Sequence, residues 1–135
     1  MAQTQVPTVE GFQELSKLLA GVAATAAKSI VNIKTSITVD AAQTYAGITK
    51  CTEDGLAIAD GTVTQVTTTE TNDTVQVSKE FTVGAGVSVT VLGFGVCNDD
   101  DDVLYMICGY NAGQALEAGD KITNTGKMQV KIGAA

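Results

Sequence analysis

The sequence contains no histidine, no tryptophan and no arginine, and a single proline, Pro7. Each absence removes a class of chemistry. Without histidine, the commonest general acid/base and metal ligand is missing. Serine–histidine and cysteine–histidine nucleophile pairs are excluded within the chain for the same reason. Three cysteines, with no CxxC pair among them, argue against a zinc site. With lysine as the only basic residue, bidentate capture of phosphate or carboxylate is lost. Three tyrosines and three phenylalanines are a poor set for a sugar-stacking cleft. Long apolar runs are missing too. Residues 18–27, rich in alanine and glycine, stop at Lys28 and are too short to span a bilayer. The opening MAQTQVPTVE lacks a basic segment followed by an apolar core, so it does not read as a secretory signal.

What is present suits one globular domain of 135 residues, 44% of them apolar. A chain of this length buries roughly two thirds of its unfolded surface and folds without a metal or disulfide. The formal net charge is −7, which opposes binding to nucleic acid backbones and favours solubility. An odd number of cysteines does not make a disulfide framework. Cys51, Cys97 and Cys108 read as small buried hydrophobes, with an intersubunit disulfide as the alternative.

The hydrophobic period changes once along the chain. Thr8 is positioned as a helix N-cap after Pro7, and Glu10 falls in the first turn, where the helix dipole favours it. Phe12, Leu15, Leu19 and Val22 recur at helical spacing and predict one apolar stripe. Gly21 is placed to end or bend this helix. After Lys28 the period becomes two. Val31, Ile33, Thr35, Ile37 and Val39 alternate with polar residues and predict a half-buried strand. Residues 62–70 and 74–83 predict two further strands around the turn Thr71-Asn72-Asp73. In the second, Val75, Val77, Phe81 and Val83 share one face and Gln76, Ser78, Glu80 and Thr82 the other. Residues 87–97 are apolar on both faces, as in a central strand, and Gly93 and Gly95 within them predict a bulge or a close backbone approach. Residues 103–108 predict a buried strand, and residues 109–119 a loop with a helical turn near Gln114. Residues 121–132 close the chain, with Ile122, Met128, Val130 and Ile132 on one face.

The pattern predicts a mainly β fold: an antiparallel β-sandwich, jelly-roll-like, with one N-terminal α-helix. Its expected divisions are an arm over residues 1–8, the helix over 9–27 and the sandwich over 28–135.

Few motifs carry chemistry. Asp99, Asp100, Asp101 and Asp102 form the densest charge run. Their spacing is not that of an EF-hand, so a solvated turn is the first reading and a cation site the second. Glu80 and Asp120 are the one carboxylate pair worth weighing for glycosidase chemistry, and nothing in the sequence places them together. Gly84-Ala85-Gly86 and Gly93-Phe94-Gly95 look like pieces of phosphate loops. Neither opens a helix or precedes a Lys-Ser/Thr pair, so both read as strand punctuation. The expectation is no catalytic residue, no metal, no cofactor and no enzymatic activity.

Four segments carry a family resemblance. They are the helix Gly11-Phe12-Gln13-Glu14-Leu15-Ser16-Lys17-Leu18-Leu19-Ala20-Gly21, the threonine-rich strand pair of residues 63–83, the strand Val87-Ser88-Val89-Thr90-Val91-Leu92-Gly93-Phe94-Gly95-Val96-Cys97-Asn98, and Leu116-Glu117-Ala118-Gly119-Asp120-Lys121-Ile122. Their order resembles short virion proteins of tailed phages and prophages, the tail-fibre-like or capsid decoration proteins. The sequence departs from that family at Lys34-Thr35-Ser36-Ile37, where the family has a glycine-rich segment, and at Leu92, where the family has an acidic residue. The resemblance implies a non-enzymatic structural component of a phage-like virion, first of all a capsid decoration protein made in the host cytoplasm. It implies a homo-oligomer, a trimer before a dimer, in contact with other virion proteins such as the major capsid protein, with neither nucleic acid nor membrane as partner. The alternatives are a tail-tip or short tail-fibre protein, or a carbohydrate-binding adhesion module.

Overall fold

The computed structural model describes residues 3–131. The chain is mainly β, with antiparallel sheets and one N-terminal α-helix. Strand β1 (Gln3–Pro7) leads into helix α1 (Val9–Leu19). Then follow β2 (Ala27–Lys34), a 3-10 turn at Tyr45–Gly47, β3 (Ala59–Asp60), β4 (Thr62–Val66) and β5 (Thr74–Thr82). The last three strands are β6 (Ser88–Asn98), β7 (Leu104–Glu117) and β8 (Lys121–Gln129). Five strands form one sheet in the order β1-β7-β6-β2-β3, and three form another in the order β4-β5-β8. Every pairing is antiparallel.

The two sheets share a core. Ile30, Phe94, Val96 and Met106 of the first are buried in one cluster with Val77, Phe81 and Ile122 of the second. A second cluster lies on the other face of the five-stranded sheet. There Val31, Ile33, Cys97 and Ile107 are covered by Ile37, Val39, Ile48 and Ile58. Each fully buried side chain of this size contributes about 1.5–3 kcal/mol, so both clusters bear on stability. Strand β6 is therefore covered on both faces by its own chain, as its two-sided apolar sequence requires.

Several expectations hold. On β5, Val77, Phe81 and the following Val83 are buried while Glu80 and Thr82 are exposed. Gly93 sits at a register shift between β6 and β7, where a methyl group would lie 2.1 Å from the Cys108 carbonyl oxygen. That is both the bulge and the close backbone approach.

Others need correction. The helix ends at Leu19, not at residue 27, because Gly21 (φ 71°) turns the chain and Val22 N–H donates back to the Lys17 carbonyl at 2.9 Å. The N-terminal arm is a strand, paired with β7 from Gln3↔Tyr110 to Pro7↔Met106. The strand expected to run on to Val39 stops at Lys34, since Thr35 (φ 70°) breaks it. Ile37 and Val39 fold back over the space that Gly93 and Gly109 leave free. β2 is buried on both faces, not half-buried: Ile30, Val31, Asn32 and Ile33 are all inaccessible. Residues 109–117 continue β7 instead of looping out, with an irregularity between Val91↔Gln114 and Gly93↔Gly109 and no helical turn near Gln114. Ile132 lies outside the described residues.

Candidate interaction surface

Helix α1 is held by polar hooks. The Thr8 side chain caps it by accepting from Gly11 N–H at 3.0 Å, and its hydroxyl donates to the Leu104 carbonyl. The Glu10 carboxylate accepts from the backbone N–H groups of Tyr45 (2.9 Å) and Leu104 (2.6 Å). The buried Glu14 carboxylate accepts from Thr25 N–H at 3.2 Å and lies 3.6 Å from the Lys17 ammonium. Gly11 lets the helix settle on β7, for a methyl there would sit 2.6 Å from Tyr105 Cα. The face turned inward is thus Gly11 and Glu14.

The apolar stripe consequently points outward, a reversal of what its spacing suggests. Phe12 is 60% exposed and Leu19 82% exposed, with Leu15 half-buried. Val9, Leu18 and Val22 are exposed as well, and the two other large exposed apolar side chains among the described residues are Val63 and Val130. These two line the same grooves as the helix. One groove, of about 230 Å³, lies between Leu15 and Leu18 of α1 and Val63, Val75 and Met128 of the smaller sheet, with Val130 just past β8. Another, of about 330 Å³, runs beside it past Phe12 and Pro7. Phe12, Leu18, Val63 and Val130 thus line two adjoining grooves that share Leu15, Met128 and Val130, while Val9, Leu19 and Val22 lie outside them. Single exposed hydrophobes need no explanation, but a cluster of this kind makes this face the candidate interaction surface.

The residues considered for chemistry are dispersed. Asp99, Asp100, Asp101 and Asp102 occupy the β6–β7 turn. Asn98 organises it, its side-chain carbonyl accepting from Asp102 N–H and Val103 N–H, both at 3.0 Å. Asp99 pairs with Lys28 at 3.5 Å. Among the described residues no group of three or more carboxylates or thiols is arranged to hold a metal ion. Glu80 faces Lys121 at 3.5 Å, while the Asp120 carboxylate accepts from Glu117 N–H at 2.8 Å. The pocket beside Asp120 is lined by Ser88 and Glu117 and does not include Glu80. Cys51, Cys97 and Cys108 are buried free thiols. Burial pushes Cys51 and Cys108 up to about 11 and raises Cys97 further. The glycines of Gly84-Ala85-Gly86 serve a turn, with Gly86 at φ 76°.

Sequence reasoning missed two arrangements. Asn32, read as a surface residue, is buried between the sheets. It accepts from the Asn124 amide at 2.7 Å and donates to the Leu56 carbonyl at 3.0 Å, and the Tyr110 hydroxyl donates to Asn124. This chain of bonds satisfies polar groups that would otherwise be costly to bury. The second is Gln5. Its side-chain amide donates to the Thr125 carbonyl and accepts from Lys127 N–H, both at 3.2 Å. A glutamine side chain thereby occupies the outer edge of β8 as a neighbouring strand would. Neither residue carries a local sequence signal, since each acts on a partner more than ninety positions away.

No protein-family model, no curated protein and no solved structure matches the chain. The labels viral protein, virion, bacteriophage, capsid decoration and tail fibre are corrected on this finding. They rested on glycines, turn residues and alternation, which unrelated β-proteins share, and no match stands behind them.

Proposed function

We propose that the chain is a non-enzymatic structural protein, a subunit of a homo-oligomeric assembly that works through protein–protein contacts. The observation that carries this reading is the gathering of the exposed large apolar side chains on α1 and the adjoining grooves. A stripe with Phe12 and Leu19 in water forgoes burial worth about 1.5–3 kcal/mol per side chain, and a subunit contact recovers it. The two-sided apolarity of β6 lends assembly no support, because residues 37–58 and the smaller sheet cover that strand.

The proposal takes the two sheets as a sandwich of jelly-roll-like type, supported by the core they share. The non-enzymatic reading is supported by the absence of histidine, the raised thiols and the scatter of the carboxylates. Carbohydrate adhesion is the weaker alternative. Of the six aromatic side chains, Phe12 is the exposed one, and Tyr45 is half-covered beneath the Lys50 ammonium at 4.2 Å.

Light scattering on a size-exclusion column tests the reading. Wild type runs well above 13.8 kDa, and Leu19→Glu lowers the mass without altering the far-ultraviolet circular dichroism. A wild-type species of subunit mass at every concentration overturns the proposal.

A further inference from the structure

Residues 35–49 cross the outer face of the five-stranded sheet as a strap, and the sheet is shaped to receive it. Gly93 of β6 and Gly109 of β7 face each other in the register. A methyl at Gly93 would lie 2.6 Å from Ile37 Cδ1, and one at Gly109 would lie 2.6 Å from Val39 Cγ2. Ile37 and Val39 therefore fill a groove that the paired glycines leave open. Val31, Ile33, Cys97 and Ile107 belong to the cluster under this cover. The strap itself is lightly held. Ile48 is its one buried residue. Among the described residues, two hydrogen bonds tie residues 37–48 to other elements, and both come from the first turn of α1. Val9 N–H donates to the Ala41 carbonyl at 2.8 Å, and the Glu10 carboxylate accepts from Tyr45 N–H at 2.9 Å. Glu10 also accepts from Leu104 N–H of β7, so one carboxylate joins helix, strap and sheet. At its other end the strap begins on Thr35, whose φ of 70° is one that β-branched residues rarely adopt. Strain at that position opposes closure.

We propose that residues 35–49 are a releasable strap with the first turn of α1 as its clasp, and that displacing this turn opens the strap and bares the groove over Gly93 and Gly109. Few outside hydrogen bonds and little burial are the marks of a segment that opens on its own while the core stays folded. The closed strap hides a second apolar surface, and the docked helix keeps it hidden. The clasp uses Val9 N–H and the Glu10 carboxylate, not the outward Phe12 and Leu19 side chains. The device is thus separate from the assembly reading and stands or falls without it.

Labelling of the full chain with a thiol reagent under native conditions, with each site located by mass spectrometry, tests the strap. Cys97 lies in the cluster under it, whereas Cys51 and Cys108 lie in the shared core. Val9→Pro removes one clasp bond and keeps the helix start, because proline suits the first helical position and Thr8 before it is already extended (φ −104°, ψ 155°). Glu10→Ala removes the other bond. Each change is expected to speed the labelling of Cys97 about fivefold, as the loss of one hydrogen bond from the closed state predicts, and the two together more. Cys51 and Cys108 keep their slow wild-type rates, and the circular dichroism is unchanged. A Cys97 rate that stays at the wild-type value in folded Val9→Pro protein overturns the proposal. Equal acceleration of all three thiols overturns it too, since the chain would then open as a whole and not at the strap.

Discussion

Phe81 and Thr82 are neighbours on β5 and lie in different worlds. Phe81 is in the shared core, packed among Val77, Phe94 and Ile122, and Thr82 is exposed. Phe81→Ala is expected to cost about 3–5 kcal/mol, through lost burial and the cavity left behind, and Thr82→Ala about 0.5 kcal/mol or less. Paired denaturant melts measure both, and equal costs would place this strand in another register. Asp73 is a second residue whose surroundings decide its behaviour. Its carboxylate accepts the backbone N–H groups of Glu70, Thr68 and Thr69 and the Gln129 amide. These bonds, the one from Glu70 foremost, hold it well below the usual carboxylate range. A depressed native value means stability that is complete above the unfolded value, about 4, and is lost as pH falls through the native one. The melting temperature of wild type is therefore expected to exceed that of Asp73→Ala at pH 7, with the gap narrowing below about pH 4. A gap that stays constant on acidification would show that the charge is not the source.

At the scale of elements, α1 shows how local signals and orientation separate. Thr8, Glu10 and Gly21 were legible as cap, first-turn acid and terminator, and each performs that role. The direction the helix faces was not legible. Apolar spacing assigns the inward face to Phe12, Leu15 and Leu19, but Gly11 is the residue that allows contact with the β7 backbone. A helix can approach a strand most closely where it lacks a Cβ, and the buried Glu14 finds its hydrogen bonds on the same side. Gly11→Val is therefore expected to displace the helix and cost about 1–3 kcal/mol as an overpacked contact. Gln13→Val, two residues on and exposed, is expected to change little. Thermal melts with amide exchange over α1 make the comparison, and equal protection in both variants would argue against the Tyr105 contact. The same logic explains the strand that stopped short. Residues 31–39 alternate as one strand would, yet Thr35 turns the chain so that Ile37 and Val39 cover a sheet face instead of extending an edge.

At the scale of the whole molecule, the chain encloses the five-stranded sheet on both faces and leaves an apolar region on α1 outside. The thiols report on the enclosure, since Cys97 lies in the outer cluster and Cys51 and Cys108 in the shared core. With Cys51 and Cys108 pushed up to about 11 by burial, native protein at pH 7 is expected to resist a thiol reagent. All three cysteines are expected to react together once denaturant unfolds the chain. Rapid labelling of one thiol under native conditions would mean that its cover opens separately.

The sequence by itself determined what depends on neighbouring residues: the change of period after the helix, the alternation of β5, the two-sided burial of β6, the turns and the cap. Side-chain period and backbone preference act over a few residues, and so they can be read from a few residues. Tertiary structure alone decided which sheet each strand joined, that Gln5 closes one edge while β4 stays open, and that Asn32 faces Asn124 across the core. These outcomes pair groups far apart in the chain, and no local pattern records which distant partner satisfies a buried polar group or covers an exposed stripe. The apolar face of α1 belongs to the same class. Its period was plain in the sequence, and its direction came from a glycine and two carboxylates whose partners lie on other elements.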